Sequence, residues 1–423
     1  MNFIEELQWR EMISDSTPGV DDLFKSGAVT GYIGFDPTAP SLTIGNFVQV
    51  MLLDLFQRTG NHPIVLMGGA TGMIGDPSFK NTERELKSPE ELWDNVKKQM
   101  DQMRKFLDFD SDTNPAILVN NYDFYKDMNI LVFLRDIGKT LTVNYMASKD
   151  SVKKRMETGI SFTEFSYQLL QGNDFQLLFE KYNCRLQMGG SDQWGNITAG
   201  TEFIRRNLSE KAYAVTTPLL TKADGTKFGK SEQGNIWLDP EMTNPFQFYQ
   251  FWINSDDADI PKFLRYFSRK NKNEIEALDQ EIATNPNDVK RILAEEITAR
   301  VHSEKDLASV KLVTELLYGR NFNADSIHEV GEESIRLLMA ELPHLTTSCT
   351  AIDQLNWIDF LTENLSIFAS KGEARRALQG NAIQVNRRRL SDAAENVKAS
   401  DLLLEKYIFI ENGKKHKYII ELI

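Results

Sequence analysis

Tyr32-Ile33-Gly34-Phe35-Asp36-Pro37-Thr38-Ala39-Pro40-Ser41-Leu42-Thr43-Ile44-Gly45-Asn46 joins a short apolar run to a polar loop punctuated by glycine and proline. The same grammar recurs along the first half of the chain. Ile64 to Met67, Ile117 to Val119, Leu186 to Met188 and Val215 to Leu220 are apolar runs ending in glycine or polar turn residues, and they predict buried parallel strands. Helical segments lie between them. The clearest begins at Ser88-Pro89-Glu90-Glu91, where Ser88 is placed to cap, proline suits the first turn and Glu91 is spaced to complete a capping box. This alternation predicts an α/β fold with a doubly wound parallel sheet. Such sheets bind ligands beyond the carboxyl ends of their strands. Every unusual motif falls at such an end: Asp36 to Asn46, Gly68 to Pro77, Asn120-Asn121, Gly189 to Asn196 and Lys227-Phe228-Gly229-Lys230-Ser231.

After about residue 240 the pattern changes to helices, with Phe246 to Asn254 and Glu274 to Val301 showing spaced apolar residues. Asn321 to Pro343 lacks a pattern and is expected to be a connector. From about Asn356 a compact α+β tail follows, in which Gly372 to Gly380 predicts a helix and Ile383 to Asn386 a strand entering a tight basic turn. At 423 residues the chain exceeds what one core usually serves, so two or three domains are expected.

A composition of 41% hydrophobic and 26% charged residues is that of a soluble globular protein. No apolar run approaches a membrane span, and Met1-Asn2-Phe3-Ile4-Glu5-Glu6 carries acid where a secretion signal needs a basic flank, so a cytoplasmic location is expected. Cys184 and Cys349 lie far apart without metal-ligand neighbours and are expected to be reduced thiols, with no protein-bound metal. A net charge of -13 argues against indiscriminate nucleic-acid binding, and no DNA partner is expected. Local charge differs. Residues 371 to 390 hold Lys371, Arg375, Arg376, Arg387, Arg388 and Arg389 against Glu373, and Lys414-Lys415-His416-Lys417 follows near the end. A basic run is ordinarily a solvated face, but two in the tail of an acidic chain point to an RNA-contacting module.

What the motif region lacks narrows its chemistry. The five histidines are His62, His302, His328, His344 and His416, so none lies between Pro63 and Val301. Serine-triad hydrolysis and histidine acid-base catalysis are disfavoured. No Gly-x-Gly-x-x-Gly occurs, and Gly225 to Gly229 leaves three intervening residues where a P-loop needs four. Neutral donors, lysines and isolated aspartates remain, which suits a nucleophile that is already charged. A carboxylate attacking the α-phosphate of ATP fits, with Lys227 and Lys230 placed for a leaving polyphosphate, although a polar Lys-Gly loop by itself is ordinarily solvated surface. The glycines of Gly68 to Gly75 either permit tight packing or let a ligand approach, with Asp76 placed to meet an amine. On the helix expected from Ser161, Tyr167, Gln171 and Asp174 share a narrow polar face, facing either water or a pocket. An aspartate in apolar company favours a ligand bearing a hydroxyl or amine.

Taken together, Gly34 to Thr38, Gly68 to Pro77, Gly159 to Phe165, Gly189 to Asn196 and Ala223 to Ser231 resemble the bacterial tyrosyl-tRNA synthetases, a family of class I aminoacyl-tRNA synthetases, over essentially the whole chain. The resemblance implies a Rossmann-like catalytic domain over 1–225, a signature loop and α-helical anticodon-binding domain over 226–322, a connector over 323–350 and an S4-like RNA-binding domain over 351–423. It implies that Tyr32 and Asp174 bind the phenolic hydroxyl of L-tyrosine, that Asp76, Tyr167 and Gln171 hold its amino group, and that Gln193 lies near its carboxylate. Asp192 and Gly190 would lie near the ribose of ATP, Asp36 and Thr38 near its phosphates, Gly45 against the nucleotide, and Lys227, Lys230 and Ser231 in a mobile loop closing over pyrophosphate. Mg2+ is expected on the nucleotide, tRNA(Tyr) as the second substrate and a homodimer as the assembly, with Phe162 in the segment matching the interface. Arg205-Arg206 matches a segment that meets the acceptor stem, and the basic tail residues would also contact tRNA. One departure stands out: the family's His-Ile-Gly-His signature is Thr43-Ile44-Gly45-Asn46 here. Threonine and asparagine are hydrogen-bond donors, so an active enzyme helped by water or a neighbouring lysine is expected, with a non-catalytic RNA-binding paralogue as the alternative. A tryptophan-specific relative and another nucleotidyl transferase are further alternatives; the Tyr32 and Asp174 pairing favours a phenol, and a nucleotidyl transferase needs no basic tail.

Overall fold

The computed structural model describes residues 1–78, 87–231, 234–319, 322, 324–348, 352–413 and 415–423, excluding the side chains of 150, 151, 154, 158, 231, 324, 325 and 328. Its first sheet has six strands: β1 (Asp15–Ser16), β2 (Thr30–Phe35), β3 (His62–Met67), β4 (Ile117–Asn120), β5 (Cys184–Gly190) and β6 (Tyr213–Thr217). They lie in the order β1-β6-β5-β2-β3-β4. All five predicted runs are strands, and they pair in parallel. The last ends at Thr217, because Pro218 has no N–H to donate to a ladder. Strand β1, two exposed residues antiparallel to β6, lacks any sequence signal. The chain winds outward from β2 through β3 to β4 on one side and from β5 to β6 on the other. The strand order therefore reverses between β2 and β5, where doubly wound sheets open a ligand crevice.

Helices cover the sheet for local reasons. The helix Ile44–Arg58 starts at Thr43, which is extended and capped, and buries Ile44, Phe47, Val48 and Met51. The helix Phe162–Tyr182 starts at Ser161, whose hydroxyl accepts from the Glu164 N–H, and stops at Asn183 in the left-handed region. Phe175 and Leu178 of this helix pack with Tyr32, Ile64, Leu66 and Cys184 in a core cluster. The helix Pro89–Met103 begins as expected, with Ser88 accepting from the Glu91 N–H at 3.1 Å. Only half of the predicted box forms, since the Glu91 carboxylate pairs with Lys87, a stronger charge-assisted donor than a backbone amide. The stretch Glu274 to Val301 is two helices, Lys272–Ile282 and Pro286–Val301, broken where Pro286 cannot continue the first. Among the described residues no helix is long and apolar enough to cross a membrane.

The chain divides into two compact units, one comprising 1–243 with 251–301 and the other 244–250 with 302–423. The first also holds a small hairpin of β7 (Lys230–Ser231) and β8 (Gly234–Asn235). The second holds a sheet of β9 (His344–Thr347), β10 (Ile383–Val385), β11 (Arg388–Arg389), β12 (Tyr407–Asn412) and β13 (His416–Leu422), in the order β11-β10-β12-β13-β9. Trp357, Phe360, Leu361, Ile383, Ile408 and Ile420 fill its core. The expected helix is Lys371–Gln379, and the tight basic turn is present, with Asn386 and Arg387 both at positive φ. The segment expected to be a connector is more than that. It carries the helix Glu332–Glu341, which buries Ile335, Leu337 and Leu338, and then β9, which pairs in parallel with β13. Neither is visible locally: the helix has no side-chain cap and the strand is mostly half-exposed.

Candidate active site

A cleft of about 410 Å3 opens at the carboxyl ends of β2, β3 and β5. It gathers Tyr32, Asp36, Thr38, Gly45, Asn46, Asp76, Tyr167, Gln171, Asp174, Gly190, Asp192 and Gln193, from segments as far apart as β2 and the turn after β5. Tyr167, Gln171 and Asp174 thus face a pocket, not water. Thr43, Lys227 and Lys230 do not line this cleft, and the side chain of Ser231 lies outside the described residues.

At one end sits Asp174, 1% exposed. Its Oδ2 accepts from Asn121 Nδ2 at 2.9 Å and its Oδ1 from the Tyr125 hydroxyl at 2.6 Å. Burial dominates its ionisation and raises its pKa to about 7, against the pull of those two donors. Tyr32, fully buried, also lines the cleft, and its hydroxyl has no partner among the described residues. A buried hydroxyl left unpaired costs about 1–3 kcal/mol, so a donor and an acceptor are held ready for one ligand group. Tyr32→Phe is expected to raise the melting temperature of the free protein slightly, since it removes a buried polar group that has no partner among the described residues. A lower melting temperature would mean that the hydroxyl is already paired in the free protein.

In the middle, Asp36 accepts from Tyr167 Oη at 2.9 Å and from Thr71 Oγ1 at 2.7 Å, and Thr71 in turn accepts from Asn121 at 3.1 Å. A Cβ on Gly68 would stand 2.2 Å from Asp36 Oδ1 and 3.2 Å from its Cα. Tight packing is therefore what requires this glycine. Asp76 accepts from Gln193 Nε2 at 2.7 Å, Asn196 Nδ2 at 3.2 Å and the Ser78 N–H at 3.0 Å. Burial, followed by the nearby Asp76 charge, raises the pKa of Asp192, and Lys227 opposes that shift. The cleft wall carries the carboxylates of Asp36, Asp76, Asp174 and Asp192 and, among the described residues, no Lys, Arg or His. Such a wall attracts an amine and hydrogen-bonds a sugar, but cannot neutralise phosphates by itself.

The cations stand on the adjoining loop. Phe228 is buried against Phe267, Phe263 and Trp252, and Phe267 stacks in turn on Phe47 in the first turn of the helix Ile44–Arg58, at 5.8 Å and 7°. Gly229 has φ +88° and a Cβ there would meet Ile44 Cγ2 at 2.8 Å, so glycine is needed both for conformation and for contact. The Ile236 N–H donates to Gly229 O at 3.1 Å and the Ile44 N–H to Ile236 O at 2.9 Å. Lys227 and Lys230 are thereby carried, exposed, beside the N-terminus of that helix, whose dipole also favours anions. Thr43 and Asn46 form its cap. The Thr43 hydroxyl donates to Asn46 Oδ1 at 2.7 Å and accepts from the Asn46 N–H at 3.3 Å, and Oδ1 also accepts from the Thr43 N–H at 3.0 Å. Threonine is thus spent on the helix, while Asn46 also borders the cleft.

The expected RNA-contacting cations divide. Arg205 and Arg206 pair with Glu202, Lys371 with Asp359 and Glu363, and Arg388 with Glu395 and Asp401. Arg387 is largely buried on Glu411 and donates to Gly319 O at 2.8 Å, a strut of the fold. Arg375, Arg376 and Arg389 are exposed and make no ion pair among the described residues. Sequence reasoning missed Asn121 as a ligand of Asp174, and also Thr71, Tyr125 and Gln187. Asn121 and Thr71 lay within the strand-end motifs, whereas Tyr125 and Gln187 gave no signal.

Residues 25–319 match the family model of class I tRNA synthetases (W and Y), and residues 335–420 match the tyrosine--tRNA ligase SYY-like C-terminal domain. The chain belongs to the class I tRNA synthetases of this W and Y family. Its similarity is to the tyrosine members: it is 50% identical to the tyrosine--tRNA ligase of Cytophaga hutchinsonii and 47% identical to that of Bacteroides fragilis strain YCH46, each alignment covering 99% of both chains. A C-terminally truncated mitochondrial tyrosyl-tRNA synthetase of Aspergillus nidulans matches with a TM-score of 0.68 at 30% identity, over 75% of this chain and 94% of that one. The Archaeoglobus fulgidus tyrosyl-tRNA synthetase solved with L-tyrosine shares the fold at 18% identity and a TM-score of 0.54, over 72% of this chain and all of that one.

Proposed function

We propose that this chain is a tyrosine--tRNA ligase, which activates L-tyrosine with ATP to tyrosyl-adenylate and pyrophosphate and then transfers tyrosine to the 3′ end of tRNA(Tyr). The observation that carries the reading is that one cleft holds both buried Asp174 and the Tyr32 hydroxyl, which has no partner among the described residues, a site that a phenol satisfies and a phenyl ring does not. The amino group is held by Asp76, Tyr167 and Gln171, and Gln193 stands by the carboxylate. One carboxylate oxygen forms a bond to the α-phosphorus as the bond from that phosphorus to the bridging oxygen breaks, so no proton moves. Catalysis is alignment and charge dispersal. Thr38, Gly45, Gly190 and Asp192 hold the nucleotide, Asn46 donates at the phosphates, and Lys227 and Lys230, with Mg2+ carried by ATP, take up charge on pyrophosphate. Among the described residues the cleft wall holds no cation, which supports placing this task on the loop.

In this reading 1–225 is the catalytic domain, 226–322 the signature loop and anticodon-binding region, and 351–423 an RNA-binding module, with tRNA contact falling first on exposed Arg375, Arg376 and Arg389. Phe162, 72% exposed, and the likewise exposed Ile130 and Leu131 support a homodimer, and the location is the cytoplasm. A non-catalytic RNA-binding paralogue is not favoured, because RNA binding does not require a tyrosine pocket.

Pyrophosphate exchange run with tyrosine, phenylalanine and tryptophan in parallel tests the function: exchange with tyrosine alone is expected, and background rates with all three would overturn it. Because β9 belongs to the C-terminal sheet, a clean truncation removes everything from Leu342 onward. That deletion is expected to lower tRNA charging about tenfold or more while leaving exchange nearly intact. Equal loss of both would count against a separate RNA-binding role.

A further inference from the structure

We propose that Tyr125 is a positioning residue for substrate selection, fixing the Asp174 carboxylate so that its unused acceptor capacity faces the hydroxyl of the bound amino acid. The inference rests on the tyrosine reading above and deepens it. Among the described residues each carboxylate oxygen has one protein donor, Asn121 on Oδ2 and Tyr125 on Oδ1, both from the segment that follows β4. Asn121 is immobilised by accepting from the Ala70 N–H at 2.7 Å and donating to Thr71. Tyr125, at the end of the short helix Tyr122–Tyr125, is placed differently. Its hydroxyl accepts from Asn173 Nδ2 at 3.2 Å and lies 2.9 Å from Leu170 O as well as 2.6 Å from Asp174 Oδ1.

One hydroxyl proton thus has two acceptors. The shorter contact, to a charged group, takes it while Asp174 is ionised. Should Asp174 gain a proton, Tyr125 can turn its own toward Leu170 O and accept from the acid. With the hydroxyl present, the ionised form has a donor that burial otherwise withholds. Without it, burial and the like charge of Asp36 favour the neutral acid, opposed among the described residues by the Asn121 donor, while Tyr32, whose own ionisation Asp174 and Cys184 oppose, makes no hydrogen bond to the carboxylate. A neutral, freely turning Asp174 no longer presents a fixed acceptor to the ligand hydroxyl.

The test is pyrophosphate exchange by the full chain with tyrosine and phenylalanine, over about pH 5.5 to 9. Tyr125→Phe is expected to lower kcat/KM for tyrosine about 10- to 50-fold at neutral pH, with KM for ATP and the phenylalanine rate unchanged, and to move the midpoint of the tyrosine pH profile upward by about one pH unit. Asn173→Leu keeps the Tyr125 hydroxyl but loosens it, and should move both readings the same way by a smaller factor. Wild-type selectivity and midpoint in Tyr125→Phe would overturn the proposal while leaving the ligase reading intact. Equal losses with both amino acids and ATP would overturn it as well, as a packing effect. Absence of tyrosine-dependent exchange in the unmodified protein would instead sink the function itself.

Discussion

Asp174→Asn is expected to lower kcat/KM for tyrosine about 10³-fold in pyrophosphate exchange while leaving the slow reaction of phenylalanine nearly unchanged. The carboxylate is an acceptor on both oxygens, taking Asn121 at 2.9 Å and Tyr125 at 2.6 Å. An amide keeps one acceptor oxygen with two lone pairs, so with tyrosine bound three donors compete for two places and one buried donor goes unpaired, at a cost of about 1–3 kcal/mol that only the hydroxyl-bearing ligand incurs. The ligand hydroxyl also loses a charged acceptor, about 1.5–3 kcal/mol more, and the two together amount to about 4 kcal/mol or three orders of magnitude. Phenylalanine has no hydroxyl to lose, so selectivity collapses with the rate. Activity within tenfold of wild type would mean that another group recognises the phenol.

Lys230→Ala is expected to lower the rate of adenylate formation about 10²- to 10³-fold, with little change in KM for tyrosine. No lysine, arginine or histidine lines the cleft among the described residues, whereas four aspartates do. Among the described residues, the cations placed to meet charge developing on the leaving diphosphate therefore stand outside the wall. Lys230 sits in the β7–β8 hairpin, whose approach to the helix Ile44–Arg58 is set by Gly229 and by the Phe228–Phe267–Phe47 stack rather than by the lysine itself. Removing an exposed side chain should leave that docking intact, so the loss belongs in kcat. Single-turnover adenylate formation measures it. If Lys227→Ala and Lys230→Ala both turn over normally, the loop is not the phosphate clamp.

The replaced signature bears on the same step. Thr43 and Asn46 are engaged with each other as the cap of the helix Ile44–Arg58, so a change there mixes helix stability with any contribution to phosphate binding. Capping alone is worth about 1 kcal/mol. Rate effects of Thr43 variants are therefore best compared with their melting temperatures.

By itself the sequence determined the parts whose signal is carried by consecutive residues. Apolar runs closed by turn residues marked the five parallel strands, Ser161 and Ser88 marked helix starts, and the i, i+4, i+7 spacing of Tyr167, Gln171 and Asp174 put them on one face. From strand ends alone it followed that the motifs would converge. Only the tertiary structure decided what each motif meets. It made the stripe a pocket wall, gave Asp174 a tyrosine 49 residues away, set Thr71 on Asp36 across 35 residues, took Arg387 out of the exposed basic face and added β9 to a sheet whose other strands come much later. The reason is physical. A cap or an amphipathic face depends on neighbours along the chain, whereas the partner of a buried polar group, and the desolvation that raises its pKa, depend on which separate elements pack together.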